Sequence, residues 1–422
     1  VLKNVTQSAL IADNFSPNHS PTGEGIENQV ITGTYGADTL KGGMGNDVIV
    51  GLEGADSLDG QAGADTIDGG TGTDTVTGLA VTGLTATTGK FNVSNVDTLI
   101  VQATGANTFD LSTLSSVGAF AISGGTPGTQ TLTNVAAGQV IQLGEATGAG
   151  VVFDNGDEVD ITMADATGAA DSLTINVEND AANTDAAIDV SGVETISLVV
   201  SADTNDATVD MTLAEATTIN VSGGAAGALL ALDTLASTTT TVDLSSYSGE
   251  VSFSGTNAAS SMTVTASSSA GDDNFTLSGK NDTITIGATG AVDVDVDAGA
   301  GTDTLNLTVT TGFVDTGEID AVENLNIIVA SGVDISIGAN GTAATDANGI
   351  EDATTVTITG GNTLSTFEVG DESAARADSI TAAVDIDSTG FAGNVFLEYA
   401  ADALTATTDV DAGALTTDTV YA

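Results

Sequence analysis

Residues 33–77 hold five consecutive nonapeptides of one design: GTYGADTLK, GGMGNDVIV, GLEGADSLD, GQAGADTID and GGTGTDTVT. All five keep glycine at positions one and four, aspartate at position six and an aliphatic residue at position eight. Nine residues with a single apolar side chain cannot enclose a core of their own. They can bury it only by stacking, turn on turn and strand on strand, so the repeat demands a coiled β architecture. A flexible Gly/Asp-rich linker would have no reason to hold an aliphatic residue in phase five times.

Each nonapeptide divides into a glycine turn and a very short strand. The turn positions Gly36, Gly42, Gly43, Gly45, Gly54, Gly63, Gly69, Gly70 and Gly72 let carbonyl oxygens converge. Asp38, Asp47, Asp56, Asp65 and Asp74 add a carboxylate to the same place, while Leu40, Ile49, Leu58, Ile67 and Val76 point inward. A cage of carbonyl and carboxylate oxygens suits calcium, a hard cation that takes six to eight such ligands. Five aliphatics are too few to offset the chain entropy of the segment, and its carboxylates repel one another. Cation binding supplies both the missing energy and the neutralisation. With two turns per coil, the stacked turns are one with three, two with four, and three with five. About three complete calcium sites are expected, with the outer turns completed by neighbouring sequence.

The chain has 422 residues, with 58 Asp and Glu against 5 Lys and Arg, a formal net charge of −53. Such a surface repels nucleic acid and anionic membranes and attracts divalent cations. Hydrophobic residues make up 41% of the chain, enough for an ordered β core and against disorder. No apolar run is long enough for a membrane-spanning helix, and no N-terminal signal peptide is visible. Cysteine is absent, so metal clips rather than disulfides would tie the fold.

Residues 1–32, with Pro17, Pro21 and His19, read as an arm or linker ahead of the roll at 33–77. Beyond it, a looser pattern pairs D-[ST]-[LV] with V-[DE]-[TN]-[LI] some twenty residues later. It begins at Asp74, Asp171 and Asp303 and places Asp97, Glu194 and Glu323 at matched positions. The pattern divides the remainder into β units at 78–170, 171–302 and 303–422. Period-two runs such as Ile196/Leu198/Val200 mark strands. Only TLAEA (212–216) hints at a helical turn. The fold expected is all-β: a parallel β-roll followed by an elongated irregular β-solenoid or a serial array of β-sandwiches.

A second acidic cluster spans 268–307. SAGDDNFTL, SGKNDTIT and AGAGTDTLN carry Asp273, Asp282 and Asp303 as further calcium candidates, and Asp293, Asp295 and Asp297 alternate along one strand. Asp154, Asp157 and Asp160 form a weaker candidate that lacks EF-hand spacing.

Catalytic chemistry is not legible. His19 is the sole histidine, so a zinc protease lacks its ligands and a Ser-His-Asp triad would depend on the N-terminal arm. Acidic partners make the glycine turns poor phosphate cradles. With no tryptophan to stack sugars, glycosidase chemistry is poorly supplied. The reading is of a protein that is not an enzyme.

The nonapeptides of 33–77, the degenerate set in 268–307 and the acidic, cysteine-free composition resemble RTX-type surface-layer proteins of Gram-negative bacteria, those of the Caulobacter type in particular. The resemblance implies type I secretion, folding triggered by calcium outside the cell, and assembly of copies into a lattice on the cell surface. It places several calcium ions on Asp38, Asp47, Asp56, Asp65 and Asp74 with turn carbonyls around them. Partners implied are further copies of the chain and a cell-surface polysaccharide. Two other functions fit the same sequence: a calcium-dependent adhesin or matrix-binding module, and the noncatalytic RTX part of a secreted exoprotein.

Overall fold

The structure, a computed structural model, describes residues 28–43, 45–61, 65–82, 92–123, 128–143, 158–165, 171–177, 184–201, 207–213, 215–225, 229–266, 273–288, 294–311, 313–315, 319–337, 353–362, 365–369, 385–398, 409–411 and 419–421. The chain forms two compact units. One comprises Val1–Ala181 with Asp185–Gly192, the other Ala182–Thr184 with Val193–Ala422.

Short parallel strands build both units. In the first, strands Thr39–Lys41, Ser57–Asp59, Thr75–Thr82, Val96–Thr104, Val117–Ser123, Val140–Leu143 and Ser172–Val177 hydrogen-bond in series. The intervening strands form opposing rows: Val30–Thr32, Val48–Glu53, Thr66–Thr71 and Asn92–Ser94, then Asn107–Asp110, Gln130–Val135, Glu158–Met163 and Thr184–Ser191. Alternate strands therefore belong to opposite sheets, and each pair of strands makes one coil. All these pairings are parallel, which a run of antiparallel sandwiches would not give; the architecture is a β-roll continuing as a solenoid.

The second unit repeats the scheme. Strands from Thr195–Val200 through Thr218–Gly223, Thr241–Tyr247, Thr263–Ala266, Thr283–Ala288, Thr304–Val309, Asn324–Val329, Thr355–Gly360 and Asp385–Phe391 to Asp409–Asp411 form one ladder. Ala207–Leu213 to Ile319–Asp320, and Phe313–Asp315 to Thr419–Tyr421, supply the opposing strands.

Alternation along each strand makes the core. Val159, Ile161 and Met163 face in, as do Ile196, Leu198 and Val200, while their neighbours face out. The position-eight aliphatics Ile49, Leu58, Ile67 and Val76 are fully buried; Leu40, in the outermost coil, is half-buried. Phe109 and Phe120, from opposite rows, meet edge to face at 5.4 Å. In the second unit, Phe253 and Phe275 pair in register at 5.2 Å.

The looser sequence pattern has a simple meaning in this fold. Asp74 and Asp97, 23 residues apart, occupy the same place in successive coils, as do Asp303 and Glu323, 20 apart. The nonapeptide region uses 18-residue coils. Longer coils carry their extra residues between strands, so the pattern survives changes in length. Thr212 and Leu213, placed by the TLAEA reading in a helical turn, instead end strand Ala207–Leu213, where Leu213 is buried. Strand pairing outweighs the local preference of a segment too short to nucleate a helix.

Truncating Leu305, fully buried between Ile284 and Leu325 in its ladder, to alanine is expected to cost about 2–5 kcal/mol. Ile328→Thr on the outer face, where Ile328 is 55% exposed, is expected to stay within about 0.5 kcal/mol. Urea unfolding in saturating calcium measures both.

Candidate metal centre

Two ladders of acids run along the edges of the first roll. The backbone N–H of Asp38 donates to Asp56 Oδ1 (2.8 Å), that of Asp56 to Asp74 Oδ1 (2.9 Å), and that of Asp74 to Asp97 Oδ2 (2.7 Å). On the other edge Gln29 N–H donates to Asp47 Oδ1 (2.7 Å) and Asp47 N–H to Asp65 Oδ1 (2.8 Å). The turns that stack are thus one on three, three on five, and two on four. Asp97, outside the nonapeptides, extends the first ladder by one coil.

In Asp47, Asp56, Asp65 and Asp74 one carboxylate oxygen clamps the coil before it. The other has one of two fates. Asp38 Oδ2 accepts from Thr34 N–H and Oγ1, and Asp47 Oδ2 from Gly43 N–H, the second residue of the same turn in each case. Asp56, Asp65 and Asp74 instead keep Oδ2 buried with no hydrogen-bond partner among the described residues. Their second-position residues, Leu52, Gln61 and Gly70, all have positive φ (85°, 64° and 99°). This left-handed backbone is costly for leucine and glutamine. An orphaned, buried carboxylate oxygen also costs free energy.

Carbonyl oxygens surround these free atoms. A Cβ on Gly51 would run into both Asp56 Oδ2 and the Gly69 carbonyl one coil on; on Gly42 it would meet Asp47 Oδ2 and the Gly60 carbonyl. Only glycine at position one leaves carboxylate and carbonyl oxygens facing the same space. Oxygen-only donors, several of them unpaired and buried, fit a hard divalent cation. Asp38, Asp47, Asp56, Asp65 and Asp74 with the turn carbonyls are the residues that would hold it. Gly36 and Gly54 stack fourth position on fourth position, as do Gly54 and Gly72. Gly45 lies buried in its turn, and Gly63 falls outside the described residues.

Burial and like charge both act on these carboxyls. Burial, then the neighbouring carboxylates Asp47 and Asp59, push the Asp65 carboxyl above its ordinary range. Asp74 is raised by burial and by Asp56, Asp97 and Asp68.

The other sequence candidates separate. Asp282 and Asp303 join one ladder in the second unit, Asp282 N–H donating to Asp303 Oδ1 (2.5 Å) and Asp303 N–H to Glu323 Oε2 (2.7 Å). Asp273 lies on the opposing strand, where its Oδ1 accepts from Val251 N–H (2.8 Å). Asp295 and Asp297 stand on the outward side of their strand around buried Val296; Asp297 Oδ1 accepts from Gly299 N–H (3.0 Å). Asp293, Asp154 and Asp157 fall outside the described residues. Among the described residues Asp160 meets Glu158 and Asp189: their carboxylate oxygens lie within 4.8 Å of one another. The Asp160–Asp189 register brings them together, and burial with these two neighbours raises the Asp160 carboxyl. A 29-residue coil hides that register in the sequence.

A family model described as RTX calcium-binding nonapeptide repeat (4 copies) matches residues 25–58 and 42–76. No curated protein matches the chain, and no solved structure matches it.

Burial also pushes Asp303 up to about 6, against the bond from Asp282 N–H, which lowers it. A carboxyl whose folded value exceeds its unfolded value near 4 favours folding while protonated. That contribution is whole below about pH 4 and is lost as pH rises through about 6. Above about pH 6 folding therefore leans on the cation, and the calcium concentration at the folding midpoint should fall between pH 4 and pH 7 as competing protons leave the buried carboxyls. Calcium titrations followed by circular dichroism at three pH values check the sign.

Proposed function

We propose that the chain is a secreted structural protein of the bacterial cell surface. The RTX repeats of residues 25–76 bind calcium, and among the described residues no helix is long and apolar enough to cross a membrane. On this reading it folds when calcium fills its acidic ladders and then associates with copies of itself into a surface layer or extracellular filament. The observation that carries the reading is the run of buried, partnerless oxygens on Asp56, Asp65 and Asp74 in a chain of net charge −53.

Calcium acts at two levels. Inside a cell, scarce calcium leaves the turns empty and the chain extended, as export through a narrow channel requires. Outside, at millimolar calcium, sites with affinities of roughly 10⁻⁴–10⁻³ M fill and folding follows by mass action. A surface this acidic cannot pack against itself without counterions, so cations between copies are what permits assembly. The remaining partner, a cell-surface polysaccharide, would anchor the array.

Electron microscopy of the purified full chain tests this. In millimolar calcium, sheets or fibres should form and should disperse in excess chelator. Particles that stay monomeric in calcium would overturn the proposal and leave a calcium-dependent adhesin or an exoprotein segment. Asp56→Asn should raise the calcium needed for folding about tenfold, equivalent to 1.4 kcal/mol, as followed by far-UV circular dichroism during calcium titration.

A further inference from the structure

The second unit contains a turn built as the first roll is built, outside the residues that the repeat family matches. Asp303 is 1% exposed, and its Oδ2 is buried with no hydrogen-bond partner. Its Oδ1 is engaged by Asp282 N–H, so the side chain is held in place with one oxygen left over. Around it, Gly299 packs on the Ser278 carbonyl and Gly301 on the Lys280 carbonyl of the preceding coil. This is the position-on-position stacking of Gly70 on Leu52 and Gly72 on Gly54. Gly299 also takes positive φ, 82°, as Leu52, Gln61 and Gly70 do. Each of these four residues lies four before an aspartate whose Oδ2 is orphaned.

The neighbouring coil shows what the turn looks like when satisfied from within. Asp282 Oδ2 accepts from Ser278 N–H (2.9 Å) and Ser278 Oγ (2.8 Å), and its Oδ1 from Met262 N–H (2.6 Å). The serine hydroxyl supplies at Asp282 what nothing among the described residues supplies at Asp303.

We propose that the 298–303 turn is a calcium site of its own, with Asp303 Oδ2 as its carboxylate donor. The Ser278 and Lys280 carbonyls of the coil before and the Glu323 carboxylate of the coil after flank it. Oxygen donors alone select a hard divalent cation; the chain has no cysteine, and its one histidine is His19, so soft metals lack ligands. The inference rests on the reading of the first roll as calcium-folded, from which the turn geometry is transferred. It gives the second unit a calcium dependence that does not pass through the nonapeptides.

Hydrogen exchange of the full chain in calcium chloride, magnesium chloride and chelator tests the site. Peptides over 298–309 should be protected about tenfold more in calcium than in chelator at calcium ten times the dissociation constant. Asp303→Asn should abolish that difference while 42–76 keeps its own. An identical response of 298–309 in Asp303→Asn and unaltered protein would overturn the proposal. If the variant does not fold, the unaltered protein crystallised from calcium chloride decides. Anomalous density at about 2.3–2.6 Å from Asp303 Oδ2 supports the site, and its absence overturns it. Protection confined to 298–309 would support this site and refute the first roll's reading, so the two failures are distinguishable.

Discussion

One bond orders the acidic coils of this fold: the backbone N–H of an acid in one coil donating to the carboxylate of the acid in the next. It fixes register between coils of unequal length, because it ties the same turn position in each. It also stacks like charges at the strand spacing of about 4.8 Å. Two carboxylates at that distance repel by roughly 3 kcal/mol at an effective dielectric of 20, partly offset by the bond itself. A divalent cation turns the repulsion into attraction. The clamp that orders the coils is thus the arrangement that makes them depend on a metal.

Each carboxylate has two oxygens, and the structure separates their work. One always serves the chain. The other is satisfied locally when the second residue of the turn presents its N–H, as Thr34, Gly43 and Ser278 do. It is left bare when that residue goes left-handed, as at Leu52, Gln61, Gly70 and Gly299. A leucine or glutamine would not hold positive φ for its own sake. The strain and the bare oxygen are both costs, and a bound cation offsets both.

The nonapeptides made much of this legible. Their period implies stacking, and the aliphatics at position eight name the core: Ile49, Leu58, Ile67 and Val76 are all buried. The stacking of alternate turns follows from two strands per coil. What could not be read was anything set by register across a coil of irregular length. Asp160 gains Asp189 as a neighbour from a parallel strand 29 residues away, a contact that sequence proximity does not reveal. Asp273 looked continuous with Asp282 at a nine-residue spacing, but a half coil separates them: Asp273 opens a strand of one row, and Asp282 lies in the turn before strand Thr283–Ala288 of the other. Likewise, the 23 residues from Asp74 to Asp97 are the length of a single coil, which their spacing alone does not reveal. Glycine content did not foretell which turns are open, since Leu52 and Gln61 adopt the same backbone as Gly70.

The ladder does not stop where the nonapeptides do. Asp74 N–H passes to Asp97, and a Cβ on Gly69 would meet the Asn95 carbonyl just as one on Gly51 would meet that of Gly69. Strand Thr75–Thr82 pairs backward with Ser57–Asp59 and forward with Val96–Thr104, so Leu58, Val76 and Leu99 form one file of buried side chains. Ordering the last nonapeptide therefore presents a finished edge, with its N–H groups, carbonyls and apolar file already aligned, to the first long coil. In a stacked fold stability is the sum of coil and interface terms, and the coil costliest to order is the first. Calcium spent on the short, glycine-rich coils provides that first surface. Later coils, richer in valine, leucine and isoleucine, can then add to it largely through apolar burial, which is why their turns can vary in length and lose most of their glycines without breaking the array.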